Sequence, residues 1–129
     1  MICLDTNYLI LGLVEGSRES QELSGWVRAG ERLVAPALVW FEFLCGPITA
    51  AQTKTMRAFV QELLPFGEEQ AVAAAELFNA AGRKRSTRVD AMIAATAIAS
   101  GAALATNNQP DFRAFLQSGL RLAEKQKMA

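Results

Sequence analysis

Residues 87–112, TRVDAMIAATAIASGAALATNNQPDF, constrain the fold more than any other stretch of this chain. Thr87 has the chemistry of an N-cap, residues 89–100 are rich in Ala and Ile without a helix breaker, and Gly101 suits the left-handed residue that ends a helix. Residues 102–105 then read as a short buried strand. Thr106-Asn107-Asn108-Gln109-Pro110 is turn chemistry, and Asp111 opens another helical pattern with Phe112, Phe115 and Leu116 on one side. A helix start and a strand end are thereby tied to Asp90 and Asp111.

The remaining chain repeats that rhythm. Ile2, Cys3 and Leu4 form an apolar run ending at Asp5-Thr6-Asn7, and residues 8–14 continue as a short helix stopped by Gly16. Residues 17–29 predict a second helix with Leu23, Trp26 and Val27 on its core face and Gly30 behind it. A strand at residues 33–35 leads through Pro36 into a helix ending at Cys45, where Gly46-Pro47 breaks the pattern. Met56, Phe59, Val60 and Leu63 are helically spaced within residues 49–64; Pro65-Phe66-Gly67 marks a crossover with room for a minimal strand at 63–66, and residues 68–82 are helical again. A last strand candidate at 120–123 precedes a basic tail. Strands alternating with helices predict an α/β domain with a short parallel sheet of four to five strands and helices on both faces. All 129 residues fit one domain, long enough to bury roughly two-thirds of its unfolded surface.

Composition narrows the chemistry. The chain has no histidine, which removes Ser-His-Asp hydrolysis, imidazole acid-base catalysis and every His-containing zinc site. Its 13 basic and 13 acidic residues balance, so only local clusters bear on an anionic partner. Cys3 and Cys45 lie in apolar runs that predict buried, reduced thiols and a cytoplasmic setting. No signal-peptide pattern opens the chain, and the run 91–106, interrupted by Ser and Gly, falls short of the roughly 20 apolar residues that span a bilayer. A protein without a membrane segment is expected.

Asp5, Asp90 and Asp111 are the only aspartates, and each falls at or near a predicted helix start. Asp5 and Asp111 suit N-caps and Thr87-Arg88-Val89-Asp90 suits a capping box, so capping explains each one singly. In open parallel sheets, however, ligands bind beyond the carboxyl ends of strands, where Asp5 and the turn at Asn108 and Asp111 fall. Their coincidence favours a shared site over three caps. Glu42 adds to it, because no residue three or four positions away in its apolar segment is polar; burial there demands a partner, either a metal ion or an arginine such as Arg88 or Arg113. Two carboxylates about 5 Å apart repel by about 3 kcal/mol at an effective dielectric near 20, so a converging set needs cations or protons. Oxygen ligands alone select hard ions, Mg²⁺ or Mn²⁺.

Taken together, these residues resemble the PIN-domain ribonucleases, and within them the VapC-type toxins of toxin-antitoxin pairs. ICLDTNYL at residues 2–9, Glu42 with Gly46, Asp90-Ala91-Met92-Ile93-Ala94-Ala95-Thr96-Ala97, and Thr106-Asn107-Asn108-Gln109-Pro110-Asp111-Phe112 match the four family motifs in order, nearly end to end. Two departures are Asn107, where many relatives carry a basic residue, and Pro110, which stiffens the turn. The resemblance implies a PIN-like three-layer α/β/α fold in which Asp5, Glu42, Asp90 and Asp111 hold Mg²⁺ or Mn²⁺ while Thr6 and Asn108 orient carboxylates and water. It also implies an endoribonuclease acting on tRNA or rRNA, a homodimer, and a VapB-type antitoxin whose C-terminal segment blocks the acidic site.

Arg83, Lys84, Arg85 and Arg88 stand just ahead of Asp90, where they can hold nucleic-acid phosphates, although a run of this kind in isolation is a solvated loop. Trp26, Trp40, Phe41, Phe43 and Phe59 are core residues by default, but Trp40, Phe41 and Phe43 fall on different sides of one helix, leaving some free to meet a partner. A phosphoaspartyl phosphatase wants a second Asp where Asn7 stands, and a response regulator wants an acidic pair before its first-strand-end Asp; neither pattern is present. A non-catalytic RNA-binding module with the same fold remains the alternative.

Overall fold

Four short apolar runs form one parallel sheet in the computed structural model, which describes residues 1–124. In chain order the elements are β1 (Ile2–Leu4), α1 (Thr6–Leu11), α2 (Arg18–Arg28), β2 (Leu33–Pro36), α3 (Ala37–Leu44), α4 (Ala50–Phe59), β3 (Glu62–Leu64), α5 (Glu68–Ala80), α6 (Arg88–Ser100), β4 (Ala103–Ala105) and α7 (Gln109–Phe112). Tight 3-10 turns cover Arg85–Thr87 and Arg113–Ser118. The strand order is β3-β2-β1-β4, with Cys3 of β1 opposite both Val34 and Leu104. β1 and β2 are buried throughout, as strands covered on both faces must be. The fold is the three-layer α/β/α arrangement, with α1 packed on α2 and α3, and α5 packed on α6.

Connections fix where a site can form. From β1 the chain runs toward β2 and β3, then returns through α6 to β4 on the opposite side of β1. The switch in direction therefore lies between the carboxyl ends of β1 and β4, at Asp5 and Thr106.

Several boundaries differ from the sequence expectation, each for a local reason. α1 stops at Leu11 because Gly12 caps it, and Gly16, at φ 79°, serves the following turn. α4 ends at Phe59, although Val60 and Leu63 keep the helical period: Val60 is extended, Pro65 disfavours helix at Leu64, and residues 62–64 gain a ladder with β2 instead. Residues 120–123 contribute only the bridge between Leu122 and Leu104, not a fifth strand. Val27 and Leu116 are exposed rather than core, and Cys45 is exposed while Cys3 is buried. The basic tail at residues 125–129 lies outside the described residues.

Candidate functional site

Asp5 follows directly on β1, and its carboxylate is held on both oxygens. Oδ1 accepts the Thr6 N–H at 2.8 Å, so Asp5 does cap α1. Oδ2 accepts the Thr106 hydroxyl at 2.8 Å from the end of β4, and Thr106 Oγ1 in turn accepts the Asn108 N–H at 3.0 Å. One buried hydroxyl thus ties the first strand end to the turn that carries Asn108 and Asp111. Thr106 was not among the candidate site residues; its place at the head of the T-N-N turn was the available signal.

The other two aspartates are not caps. Thr87 donates its hydroxyl to the Lys84 carbonyl at 2.7 Å and makes no side-chain cap, so the capping box with Asp90 does not form. Asp111 sits inside α7, whose N-cap position is Asn108. Both carboxylates are therefore free of helix-start duty.

Asp5, Thr6, Glu42, Asp90 and Asn108 line a single cleft of about 190 Å³, together with Asn7, Val89 and Ile93. Asp111 is exposed outside this lining but close enough to act on Asp90 electrostatically. Burial pushes the Asp90 carboxyl up to about 6, and Asp111, Asp5 and Glu42 add to the rise in that order. The Glu42 carboxyl is likewise raised, first by partial desolvation at the cleft wall and then by Asp5, with a hydrogen bond from the Thr6 hydroxyl opposing. Contrary to expectation, Glu42 is an exposed residue reaching the cleft from α3, and no ion pair joins it to Arg88 or Arg113 among the described residues. Its apolar neighbours Phe41, at 65 % exposure, and Leu44 face solvent instead of enclosing it.

Carboxyls raised by desolvation and then by one another mark a place where positive charge would be stabilised. Among the described residues no three acidic side chains stand close enough to form a ready-made metal cage. Thr6 Oγ1 is buried in the same cleft, turned toward the Glu42 carboxyl whose charged form it favours. Carboxylate, hydroxyl and amide oxygens at the cleft wall fit a hard ion that keeps several of its own waters, as Mg²⁺ does.

The raised Asp90 makes a signed prediction. The folded protein holds this proton up to about pH 6, whereas the unfolded chain releases it near the ordinary value of 3.8, so stability falls as pH rises across that window. After discounting for solvent screening of a half-open site, Asp90→Asn should stabilise the ion-free protein by about 1 kcal/mol at pH 7.5 and by much less at pH 4.5. Thermal melts in EDTA at the two pH values test this; an equal difference at both would contradict it.

Of the basic residues, Lys84 and Arg85 are exposed at the entrance to α6, while Arg83 folds back along α5, donating to Asn79 Oδ1 at 2.6 Å with its guanidinium 5.9 Å from the Phe78 ring centre. Arg88 opens α6 on the side away from the cleft.

The family model of the PIN domain matches residues 2–115. No curated protein matches the chain. Among solved structures, the chain is similar to a toxin-antitoxin complex from Klebsiella pneumoniae, at 22% identity and TM-score 0.71, covering 99% of this chain and 100% of that one. FitAcB from Neisseria gonorrhoeae shows 19% identity, TM-score 0.72 and coverage of 99% and 100%. VapBC-1 from nontypeable Haemophilus influenzae shows 21% identity, TM-score 0.70 and coverage of 98% and 100%.

Proposed function

The chain belongs to the PIN domain family, and from that premise we propose that it is a metal-dependent endoribonuclease acting as the toxin of a VapBC-type toxin-antitoxin pair. The observation that carries this reading is the cleft where Asp5, Glu42 and Asp90 gather beside the buried Thr6 hydroxyl, with Asp90 and Glu42 held above their ordinary range. Bound Mg²⁺ or Mn²⁺ would supply a Lewis acid that lowers the pKa of water and offsets negative charge at the reacting phosphodiester. Asp5, Glu42, Asp90 and Asp111 are the residues to hold it, directly or through water. Asp5 presents its oxygens in a fixed direction, since Thr6 and Thr106 already occupy one lone pair on each. Asn108 is set beside it through Thr106, and Thr6 offers its hydroxyl to Glu42 or to water. The products would be a 3′-hydroxyl and a 5′-phosphate.

Incubating purified protein with total tRNA and rRNA in Mg²⁺, in Mn²⁺ and in EDTA tests the proposal. Discrete cuts that disappear with EDTA are expected. Intact RNA with retained binding would favour the non-catalytic RNA module instead.

Lys84, Arg85, Arg88 and, from its folded-back position, Arg83 would draw the RNA backbone toward the acidic cleft and offset its repulsion. Neutralising Arg83, Lys84 and Arg85 together should flatten the plot of log affinity against log salt by about 2, at roughly 0.7 per phosphate contact on a single strand. An unchanged slope in a filter-binding titration would remove these residues from the interface.

Ile10, Val14, Phe41 and Leu44 form exposed apolar surface on α1, α3 and the adjoining turn, which supports a protein partner. A VapB-type antitoxin is that partner in this reading, consistent with structural relatives that are themselves toxin-antitoxin complexes, and a homodimer mate is the second.

A further inference from the structure

On the side of α6 turned away from the acidic cleft, Arg88, Ala91 and Met92 meet Ala74 and Phe78 of α5 and Phe66 of the preceding loop around a groove of about 330 Å³. The first turn of α6 separates the two cavities. At 3.6 residues per turn, Val89, Asp90 and Ile93 point into the cleft while Arg88, Ala91 and Met92 point the opposite way, about one helix diameter or roughly 10 Å apart. The groove offers two rings and a thioether, and among the described residues its single charged lining residue is an arginine and no carboxylate lines it. Beyond its rim, Arg83 already covers the Phe78 ring with its guanidinium, at a backbone φ of 63° that turns the chain sharply between α5 and the basic 3-10 turn. Lys84 and Arg85 then stand at the start of the 3-10 turn that leads directly into α6.

We propose that this groove receives one unstacked base of the RNA strand whose phosphodiester occupies the acidic cleft, the backbone between them crossing the basic end of α6. This inference rests on the ribonuclease reading and adds a base subsite to it. Unstacked bases bind by lying on aromatic and arginine planes, which are the surfaces the groove presents, and Arg88 stands where the strand's phosphate would enter. A nucleotide is the occupant favoured by charge complementarity: its apolar faces suit the rings and its phosphate suits Arg88, Lys84 and Arg85, whereas a purely apolar protein face would leave those cations unmatched.

The test uses a short single-stranded oligoribonucleotide carrying one 2-aminopurine, titrated in EDTA so that binding is read without cleavage. Wild type should quench the fluorescence of the base in the groove, and Phe78→Ala should abolish the quenching and weaken binding by about 5- to 100-fold. Phe78→Trp, which keeps a stacking plane, should retain both, and its circular dichroism guards against a folding defect. An oligonucleotide abasic at that position should bind wild type as weakly as Phe78→Ala binds the intact strand. Wild-type affinity and quenching in Phe78→Ala overturn the subsite, as does conversion of a dimer to a monomer by that variant, which would make the face a subunit interface. Metal-dependent cleavage by wild type stands apart from either result, so failure of the subsite is distinguishable from failure of the nuclease; a wild type that neither binds nor cuts RNA removes both.

Discussion

Asp5→Asn is expected to lower metal-dependent RNA cleavage by at least 10²- to 10³-fold while leaving the fold in place. The substitution removes one negative charge and keeps the shape. The Asn carbonyl can still accept the Thr6 N–H, and its amide can donate to Thr106 Oγ1, which gives up only its own donation to residue 5. The cap and the tie between β1 and β4 therefore survive, and unfolding in urea should move by no more than about 1 kcal/mol. The electrostatic loss is different in kind, because Asp5 acts on both Glu42 and Asp90 across the cleft. With its charge gone, those carboxyls should release their protons more readily, and the cleft should hold Mn²⁺ more weakly when titrated by electron paramagnetic resonance. Cleavage at the wild-type rate would sink the catalytic assignment, and unchanged Mn²⁺ binding would sink the metal role separately.

How much of this site could be read in advance depended on whether a residue's role is local or set by packing. β1 and β2 were legible because buried parallel strands need uninterrupted apolar runs, and residues 2–4 and 33–35 supply them. Gly101 was legible because a left-handed helix end, here φ 75°, selects glycine. Caps were half legible: Asp5 caps α1, whereas Thr87 has the right neighbours and spends its hydroxyl on Lys84. Glu42 misled for a related reason. Its apolar neighbours implied burial, but Phe41, Leu44 and Cys45 are themselves exposed, and a single sequence does not separate core from a surface awaiting a partner. Glu22 was not visible at all. Arg18 and Glu22 at i and i+4 resemble an ordinary surface pair, yet Glu22 is 0% exposed.

That buried glutamate makes Tyr8→Ala the substitution with the largest expected effect on stability, roughly 4 kcal/mol or more. Tyr8 is 1% exposed, its ring centre lies 5.8 Å from that of Trp26, and its hydroxyl donates to Glu22 Oε2 at 3.2 Å. Burial, and then Glu22, hold the phenol above its ordinary pKa, so it remains a donor across the working pH range. Truncation leaves a ring-sized cavity, which alone costs about 3–5 kcal/mol, and strips a donor from a carboxylate that water cannot reach. Arg18 Nε, at 3.2 Å from Oε1, is then its remaining ion-pair partner among the described residues, on a side chain that is 57% exposed. Tyr8→Phe keeps the ring and should cost only about 1–2 kcal/mol. In a Glu22→Leu background the penalty of Tyr8→Phe should nearly vanish, since no buried carboxylate is left to satisfy; a double-mutant cycle by urea denaturation measures that coupling. A Tyr8→Ala protein within about 1 kcal/mol of wild type would refute the account. The consequence reaches the cleft, because the Tyr8 N–H bonds the Asp5 carbonyl at 3.1 Å and α1 carries Thr6 between them. Loss of the Tyr8 anchor therefore loosens the helix start that aims Asp5, so residual cleavage by Tyr8→Ala should lose apparent Mn²⁺ affinity before it loses rate at saturating ion.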